Sequence, residues 1–431
     1  MSAAYRPPAG WSVRPFDAAD RDARWLVEAP GGRRWQVNEA TVRLLEALDA
    51  APTLEEAAQR AAELWKRAVP PSALRDYLDR VLVPQGLVSG ADGATAPDPR
   101  ASGGRLAYLS FRRTLVPPAL LERVTGMLRH LYQPAAFWAC SLAALCAALW
   151  YLAWQAGRLA SLPAAMLQPG AVLLALASTF VHELGHAAAC RRFGARHGAM
   201  GWGIYLVFPV LYMEVDETWR LPRSQRAVVD AAGLYLQLLF GLAVAAGGLA
   251  WKPLADAAPG TMLLIGVALL TNLNPLFRFD GYWLLSDALG VPNLRRKSGE
   301  MLRSLLRGPA ARGAASGIPQ RTAWVLAVYA VGSNVFFAVF FARLLAQLPG
   351  YAMHVYPALA AAELSTLRDA ALALRPGRAL RAVLTLAPPT AMLVGVPLIV
   401  LTQLRALARR LRRGAPPAPA APAPLTPTVP R

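Results

Sequence analysis

Five consecutive residues, His182-Glu183-Leu184-Gly185-His186, carry the clearest chemical signal in the sequence. A four-residue spacing places the two imidazoles on one face of a helix, one turn apart, where both can bind the same Zn²⁺ ion. Glu183 lies between them and can act as a general base toward a water molecule at such a site. The motif therefore predicts one zinc ion per chain, with His182 and His186 as ligands and Glu183 as the catalytic residue.

The depth of this motif in an apolar stretch supports the prediction. The motif begins about 13 residues into the stretch, roughly 20 Å along a helix at 1.5 Å per residue. Two histidines and a glutamate at that depth in a membrane are costly unless they are paired, bound to a metal or facing water. The alternative is a hydrogen-bonded pair of core histidines, one of them neutralised by Glu183.

A third ligand is needed, because a catalytic zinc ion takes three protein ligands and leaves one position for water. The candidate is Asp280, in the segment NLNPLFRFDG (272–281) at the end of a later apolar stretch. Pro275 is expected to end the helix, and Gly281 to relax the backbone after Asp280. The alternative is a solvated Asp280 that pairs with Arg278.

Membrane helices are the elements expected to position these residues. Of the 431 residues, 55% are hydrophobic and 16% are charged, against about a quarter charged in soluble domains. Six apolar stretches suit a bilayer core of about 30 Å. They are residues 135–154, 170–190, 227–251, 261–276, 322–345 and 383–404. The Gly-rich, aromatic segment 198–219 is predicted to form a re-entrant or membrane-edge hairpin.

The charge distribution indicates lipid rather than nucleic acid as the partner of the basic residues. The net charge is +19, but residues 1–100 carry 13 Lys/Arg against 14 Asp/Glu. The basic excess flanks the apolar stretches, as in cytoplasmic loops of membrane proteins. We therefore predict a multi-pass protein of a bacterial-type inner (cytoplasmic) membrane, with both termini in the cytoplasm and no nucleic-acid partner. Residues 348–382 are then expected outside, as a loop or an interfacial helix.

The first 90 residues are predicted to form a small α/β domain. Strand-like pieces at 11–16, 24–30 and 34–39 precede helices at 40–50, from Thr53 onward and at 72–82, with 86–88 as a returning strand. Thr53 and Glu56 form a capping-box pattern, and Gly31-Gly32 marks a turn. The predicted fold class is an α-helical polytopic membrane protein of about six spans with a small, winged-helix-like α/β cytoplasmic domain. The predicted parts are that domain (1–90), a linker with a membrane-edge helix (91–133), a membrane core (134–290), C-terminal membrane helices (291–404) and a basic, Pro/Ala-rich disordered tail (405–431).

The two motifs together resemble those of the site-2 protease family of intramembrane zinc metallopeptidases. HExxH within one span, followed by NxxPxxxxDG at the end of a later span, matches this chain completely over roughly residues 134–290. The resemblance implies that Asp280 is the third zinc ligand and that Asn272 lies near the substrate backbone. The arrangement also resembles bacterial proteins described as peptide zinc metalloproteases.

Three features depart from the family pattern. Gln237 stands where the family usually has an asparagine that positions substrate, so the resemblance makes Gln237 a candidate substrate-binding residue with a different reach. No segment resembles the PDZ domain of many members. Arg278 next to the candidate ligand is unusual, and it is expected to contact either a peptide carboxylate or lipid headgroups.

The order of elements in residues 10–90 resembles the PqqD-like family, also called RiPP recognition elements. The resemblance implies that this domain binds a leader peptide as an added strand. The alternative is a generic winged-helix-like domain that packs on the membrane part.

Two functions follow as expectations. The first is hydrolysis of a peptide bond in a membrane-associated or leader-bearing peptide or membrane-protein substrate, recruited by the N-terminal domain. The second is a non-proteolytic, peptide-binding accessory for maturation or export of a modified peptide. A secondary transporter is disfavoured, because the sequence lacks repeated broken helices. The sequence predicts neither the substrate nor the oligomeric state.

Overall fold

The structure is a computed structural model in which most of the chain is described. The described residues are 5–19, 24–30, 33–51, 53–65, 68–90, 109, 111–156, 166, 168–205, 208–307 and 318–412. The predicted turn at Gly31-Gly32, residues 91–108 and 110 of the predicted linker, and residues 413–431 lie outside them.

The N-terminal residues form a three-stranded antiparallel sheet in the order β1-β2-β3, packed against three helices. These elements are β1 (Ser12–Pro15), β2 (Trp25–Ala29), β3 (Arg33–Val37), α1 (Glu39–Ala50), α2 (Leu54–Trp65) and α3 (Pro71–Tyr77). Thr53 Oγ1 accepts a hydrogen bond from the Glu56 N–H at 3.2 Å, as the capping pattern predicts. The strand predicted at 86–88 is wrong, because Gly86 turns the chain in a left-handed conformation and the nearby pairing is one bridge between Arg6 and Ser89.

Among the described residues, six helices are long and apolar enough to cross a membrane, in agreement with the predicted number. A shorter helix, α4 (Pro118–Leu128), precedes the first of them. The six are α5 (Pro134–Trp154), α6 (Pro169–Arg192), α7 (Arg223–Gly247), α8 (Lys252–Leu273), the continuous α11 (Gln320–Gly350) and α12 (Tyr356–Leu372), and α13 (Pro376–Arg412). Two short helices, α9 (Asp280–Leu289) and α10 (Leu294–Arg307), connect α8 to α11.

The C-terminal helices differ from the prediction for residues 348–382. A π-helical turn, Tyr351–Val355, joins α11 to α12, so that residues 320–372 form a helix of 53 residues. After a turn at 373–375, α13 packs back against α12, and Tyr356 Oη lies 2.8 Å from Thr390 Oγ1. The segment is therefore a helical hairpin rather than a loop, which suits its Ala- and Leu-rich composition. The tail predicted to be disordered from residue 405 is still helical to Arg412.

A second antiparallel sheet lies beside the membrane-length helices, in the order β4-β5-β6. Its strands are β4 (Phe111–Val116), β5 (Met200–Tyr205) and β6 (Phe208–Met213). The hairpin predicted within 198–219 is present as β5 and β6, but β4 lies in a segment predicted to be linker and helix. An added Cβ at Gly201 or Gly203 would lie 2.5 Å from a β4 carbonyl oxygen. These glycines therefore allow β4 to approach closely enough to pair.

The helices α6 and α7 cross at very short range, and this crossing sets up the site. An added Cβ at Gly185 of α6 would lie 2.5 Å from the Ala232 carbonyl oxygen of α7. A helix pair usually keeps its axes about 8–10 Å apart, depending on the side chains at the contact. Glycine at this contact brings the α7 backbone against the helix face that carries both motif histidines.

Candidate metal centre

Three side chains that the sequence singles out meet at the α6–α7 crossing. His182 Nε2 lies 2.9 Å from Asp280 Oδ2, and His186 Nε2 lies 3.5 Å from Asp280 Oδ1. The two Nε2 atoms are 3.1 Å apart. A tetrahedral ion with bonds of about 2.0 Å separates its ligand atoms by about 3.3 Å, which is close to these spacings. The structure thus brings together the predicted ligand set.

Helix α7 fixes the orientation of both imidazoles from behind. His186 Nδ1 lies 2.7 Å from the Val229 carbonyl oxygen, which accepts its proton. His182 Nδ1 lies 3.1 Å from Gln237 Oε1. Ser178 settles which end of the Gln237 amide faces His182: its hydroxyl accepts from Gln237 Nε2 at 2.9 Å and donates to the Ala175 carbonyl at 2.6 Å. Both histidines therefore carry their proton on Nδ1 and direct the lone pair of Nε2 toward Asp280.

Gly233 leaves the space in which these lone pairs meet. A Cβ at this position would lie 2.5 Å from His186 Nε2 and 2.6 Å from His182 Nε2. Gly233 is on the same face of α7 as Gln237, one turn earlier, so one helix face both supports the imidazoles and leaves room in front of them.

Asp280 is placed by the turn between α8 and α9. Helix α8 ends at Leu273, two residues before Pro275, as predicted, and Asp280 is the first residue of α9. An added Cβ at Gly281 would lie 2.1 Å from the Leu273 carbonyl oxygen, so glycine is required for close packing here. Metal binding requires the ionised form of this carboxylate.

The donor set fits a divalent cation. Two imidazole lone pairs and a carboxylate converge within one buried volume, and all the ligand atoms lie within 4.8 Å of one another. Asp280 Oδ2 receives no hydrogen bond from the described residues. Lone pairs this close repel one another unless a cation lies between them. Two nitrogens and one carboxylate in this arrangement are the donors of a catalytic zinc site with one open position.

A cavity of about 570 Å³ opens next to these ligands. Glu183 lines the cavity, is 9% exposed, and lies within hydrogen-bonding reach of the Met213 backbone N–H at the end of β6. The predicted substrate contact Asn272 also lines the cavity. Much of the remaining wall is aromatic. Its aromatic members are Phe180, Trp202, Tyr205, Tyr212, Phe279 and Trp283.

Comparison with known proteins gives one similarity. The chain is 28% identical over 127 residues to a protein of Bacillus subtilis (strain 168) named "Putative peptide zinc metalloprotease protein YydH". The aligned part is 29% of this chain and spans about half, 50%, of the length of that relative. No family model matches the chain, and no solved structure matches it.

Two further residues of α7 lie beside the ligands. Gln237, a predicted substrate contact, lines the cavity and also uses both ends of its amide, for His182 and for Ser178. Asp230 was not predicted at all, yet it is 2% exposed and lines the cavity on the same face of α7. Its spacing of three and seven residues from Gly233 and Gln237 is the signal that could have indicated it.

Proposed function

We propose that this chain is an intramembrane zinc metallopeptidase of the site-2 protease type. The convergence of His182, His186 and Asp280 beside Glu183, in a cavity formed by membrane-length helices, carries the proposal. The similarity to a protein named as a peptide zinc metalloprotease supports it. The position of the two histidines, about two thirds of the way along the membrane-length helix α6, also supports the proposal.

The residues of the chain supply the acid–base chemistry of hydrolysis. Zinc, when bound by His182, His186 and Asp280, would polarise the scissile carbonyl and lower the pKa of the attacking water. Glu183 accepts the proton of that water and delivers it to the leaving amine. The Met213 N–H keeps the Glu183 carboxylate directed into the cavity, and the aromatic walls limit access of other water molecules.

The outer edge of β6 pairs with no strand of the described residues and provides a place for an extended peptide. Within β6, Pro209 has no N–H to give to β5, and Met213 directs its N–H to Glu183. Glu214, in contrast, donates to the Ala199 carbonyl on the β5 side at 3.1 Å. Because backbone groups alternate along a strand, Leu211 presents its N–H and C=O to the cavity. A substrate paired there as an added strand would pass close to the metal centre.

The N-terminal domain is proposed to recruit the substrate. Its three-stranded sheet ends in β3, which pairs with β2 on one edge and whose residues 33–36 are partly exposed. A leader peptide added along β3 would raise the local concentration of the attached substrate at the membrane site. The proposed location is the cytoplasmic membrane of a bacterial-type cell, with this domain in the cytoplasm.

The test compares wild type with Glu183→Gln after reconstitution into lipid vesicles with zinc. Both proteins are incubated with a complex peptide mixture of known composition, and new peptide termini are identified by mass spectrometry. Glu183→Gln keeps the side-chain shape but removes the proton acceptor, so we expect cleavage to fall by at least about a hundredfold.

Zinc content is the control in this experiment, because Glu183→Gln leaves all three ligands intact. Both proteins should bind one zinc ion per chain. Equal cleavage by the two zinc-loaded proteins would contradict the mechanism, and absence of cleavage by zinc-loaded wild type would favour the peptide-binding accessory.

A further inference from the structure

A segment of the N-terminal domain contacts the membrane helices at one buried arginine. Arg226, in the first turn of α7, is 1% exposed. Its Nη2 donates to the Asp17 carbonyl at 2.9 Å, and its guanidinium lies 4.5 Å from the centroid of the Phe16 ring. Its Nη1 donates to the Leu221 carbonyl at 2.8 Å. A cation withdrawn from water to this degree depends on such partners, so the contact is specific rather than incidental.

The same guanidinium also holds α9. Arg226 Nε donates to Asp287 Oδ1 at 2.7 Å, and both side chains are buried. Three residues later, the Gly290 carbonyl at the end of α9 accepts from the Ala19 N–H at 2.8 Å. Gly290 has a φ of +64°, and an added Cβ would lie 2.6 Å from the Ala19 nitrogen. The C-terminal end of α9 is therefore attached to the N-terminal domain both directly and through Arg226.

The other end of α9 begins with the ligand Asp280. Asp280 and Asp287 are seven residues apart, or roughly 10 Å along the helix, and so short a helix moves as a unit. Zinc–ligand distances tolerate only about 0.2 Å of deviation. On α7, Arg226 lies one turn before Val229, whose carbonyl orients His186. Arg226 thus connects α7, which orients His186, to α9, which carries Asp280.

We propose that Arg226 is a positioning residue through which segment 16–19 of the N-terminal domain holds the metal centre in its binding geometry. The inference rests on the zinc site of the proposed function but does not require peptide hydrolysis. It assigns the N-terminal domain a part in metal binding, in addition to any part in recruiting peptide.

The test measures the zinc dissociation constant of the purified full-length chain in detergent micelles, by competition with a chromogenic chelator. Ala19→Pro removes the N–H that reaches Gly290, and Arg226→Gln removes the buried cation. Each is expected to weaken zinc binding about tenfold, the lower end of the effect of outer partners on metal ligands. The double variant should weaken binding by less than the product of the two, because both changes break one connection.

Arg220→Gln is the matched control. Arg220 joins the N-terminal domain at Glu28, 3.4 Å away, and no contact of its side chain with α9 is found among the described residues. Its zinc dissociation constant should equal that of wild type. A weakening as large as that of Arg226→Gln would overturn the inference, because any loosening of the domain would then suffice.

Folded Ala19→Pro and Arg226→Gln proteins with wild-type zinc affinity would also overturn the inference, since a purely structural role changes unfolding stability alone. If Arg226→Gln does not fold, Ala19→Pro decides the question. A wild-type chain that binds zinc but cuts no peptide contradicts the proposed function and leaves this inference intact. A wild-type chain that binds no zinc contradicts both.

Discussion

Gly233 and Gln237 show which parts of the metal centre a sequence pattern can indicate. The two histidines and Glu183 could be predicted, because a four-residue spacing places both imidazoles on one helix face and Glu183 is adjacent to His182 in the same motif. Gln237 is 55 residues from His182, and the spacing of residues on α6 contains no information about the face of α7 that meets it. The Val229 carbonyl could not be predicted either, since every residue has one.

Gly233→Ala is predicted to abolish zinc binding while the chain stays folded. The added methyl group would occupy the space in front of both Nε2 atoms, at 2.5 and 2.6 Å. We expect zinc content measured by atomic absorption to fall from about one ion per chain to below about a tenth. Overpacking a buried contact by one methyl group costs about 1–3 kcal/mol, which leaves most membrane bundles folded.

Gly266→Ala is the control for that prediction, because no described residue lies within 4 Å of an added Cβ at this position of α8. Its zinc content and circular dichroism should match those of wild type. Normal zinc content in Gly233→Ala would show that the ion does not lie between the two histidines.

Gln237→Leu is predicted to weaken zinc binding about 10- to 100-fold without removing a ligand. The substitution deletes the acceptor of the His182 Nδ1 proton and leaves the imidazole free to turn. The dissociation constant is measured by chelator competition.

Gln155→Leu removes another buried amide, one that donates to Tyr151 at 3.2 Å, and should leave zinc affinity unchanged. If Gln237→Leu binds zinc like wild type, the substrate contact suggested by the sequence is the better account of Gln237.

At the scale of elements, the sheet β4-β5-β6 was only half predictable. The hairpin could be found because Gly and aromatic residues interrupt the apolar pattern between α6 and α7. Strand β4 is short, contains Arg112 and Arg113, and pairs with residues about 90 positions later. Pairing between strands so far apart in the sequence leaves no local pattern in β4. The pairing depends on glycines in β5 rather than on the residues of β4.

Leu211→Pro is predicted to impair cleavage while zinc binding is kept. Proline removes the N–H that Leu211 presents to the cavity and places its ring in the path of an added strand, but the ladder with β5 uses the other edge. We expect the cleavage rate of any substrate found in the vesicle assay to fall at least about tenfold. The lost hydrogen bond alone would lower the rate about two- to tenfold, and the proline ring would lower it further.

Leu211→Ala is the matched control, since it removes the same side chain and keeps the N–H. Equal rates for the two variants, both zinc-loaded, would exclude strand addition along β6 as the mode of substrate binding.

For the whole molecule, composition was sufficient to predict six membrane-length helices but not where the last two end. Hydropathy predicts the apolar part of α11, but it does not indicate that the helix continues through residues 351–372. A helix of 53 residues is roughly 80 Å long, against a bilayer core of about 30 Å. If α11 crosses a bilayer, part of the α12–α13 hairpin is therefore expected to extend beyond it.

The turn at residues 373–375 is predicted to be accessible on the side opposite the N-terminal domain. In a chain whose native Cys140, Cys146 and Cys190 are replaced by alanine, Arg375→Cys should react with a membrane-impermeant maleimide in intact cells. Ser89→Cys, in the N-terminal domain, should react only after permeabilisation. Labelling of Arg375→Cys only after permeabilisation would contradict the alternating topology.

The separation of the ligands along the chain has a consequence for biosynthesis. His182 and His186 leave the ribosome together, whereas Asp280 follows about 90 residues later. At about 5–20 residues per second, the two histidines wait on the order of 5–20 s for the third ligand. During this interval the nascent chain offers an incomplete site that holds metal weakly. Correct metal loading is therefore expected to follow insertion of the fourth span, so a chain truncated before residue 280 would be made and inserted without retaining the ion.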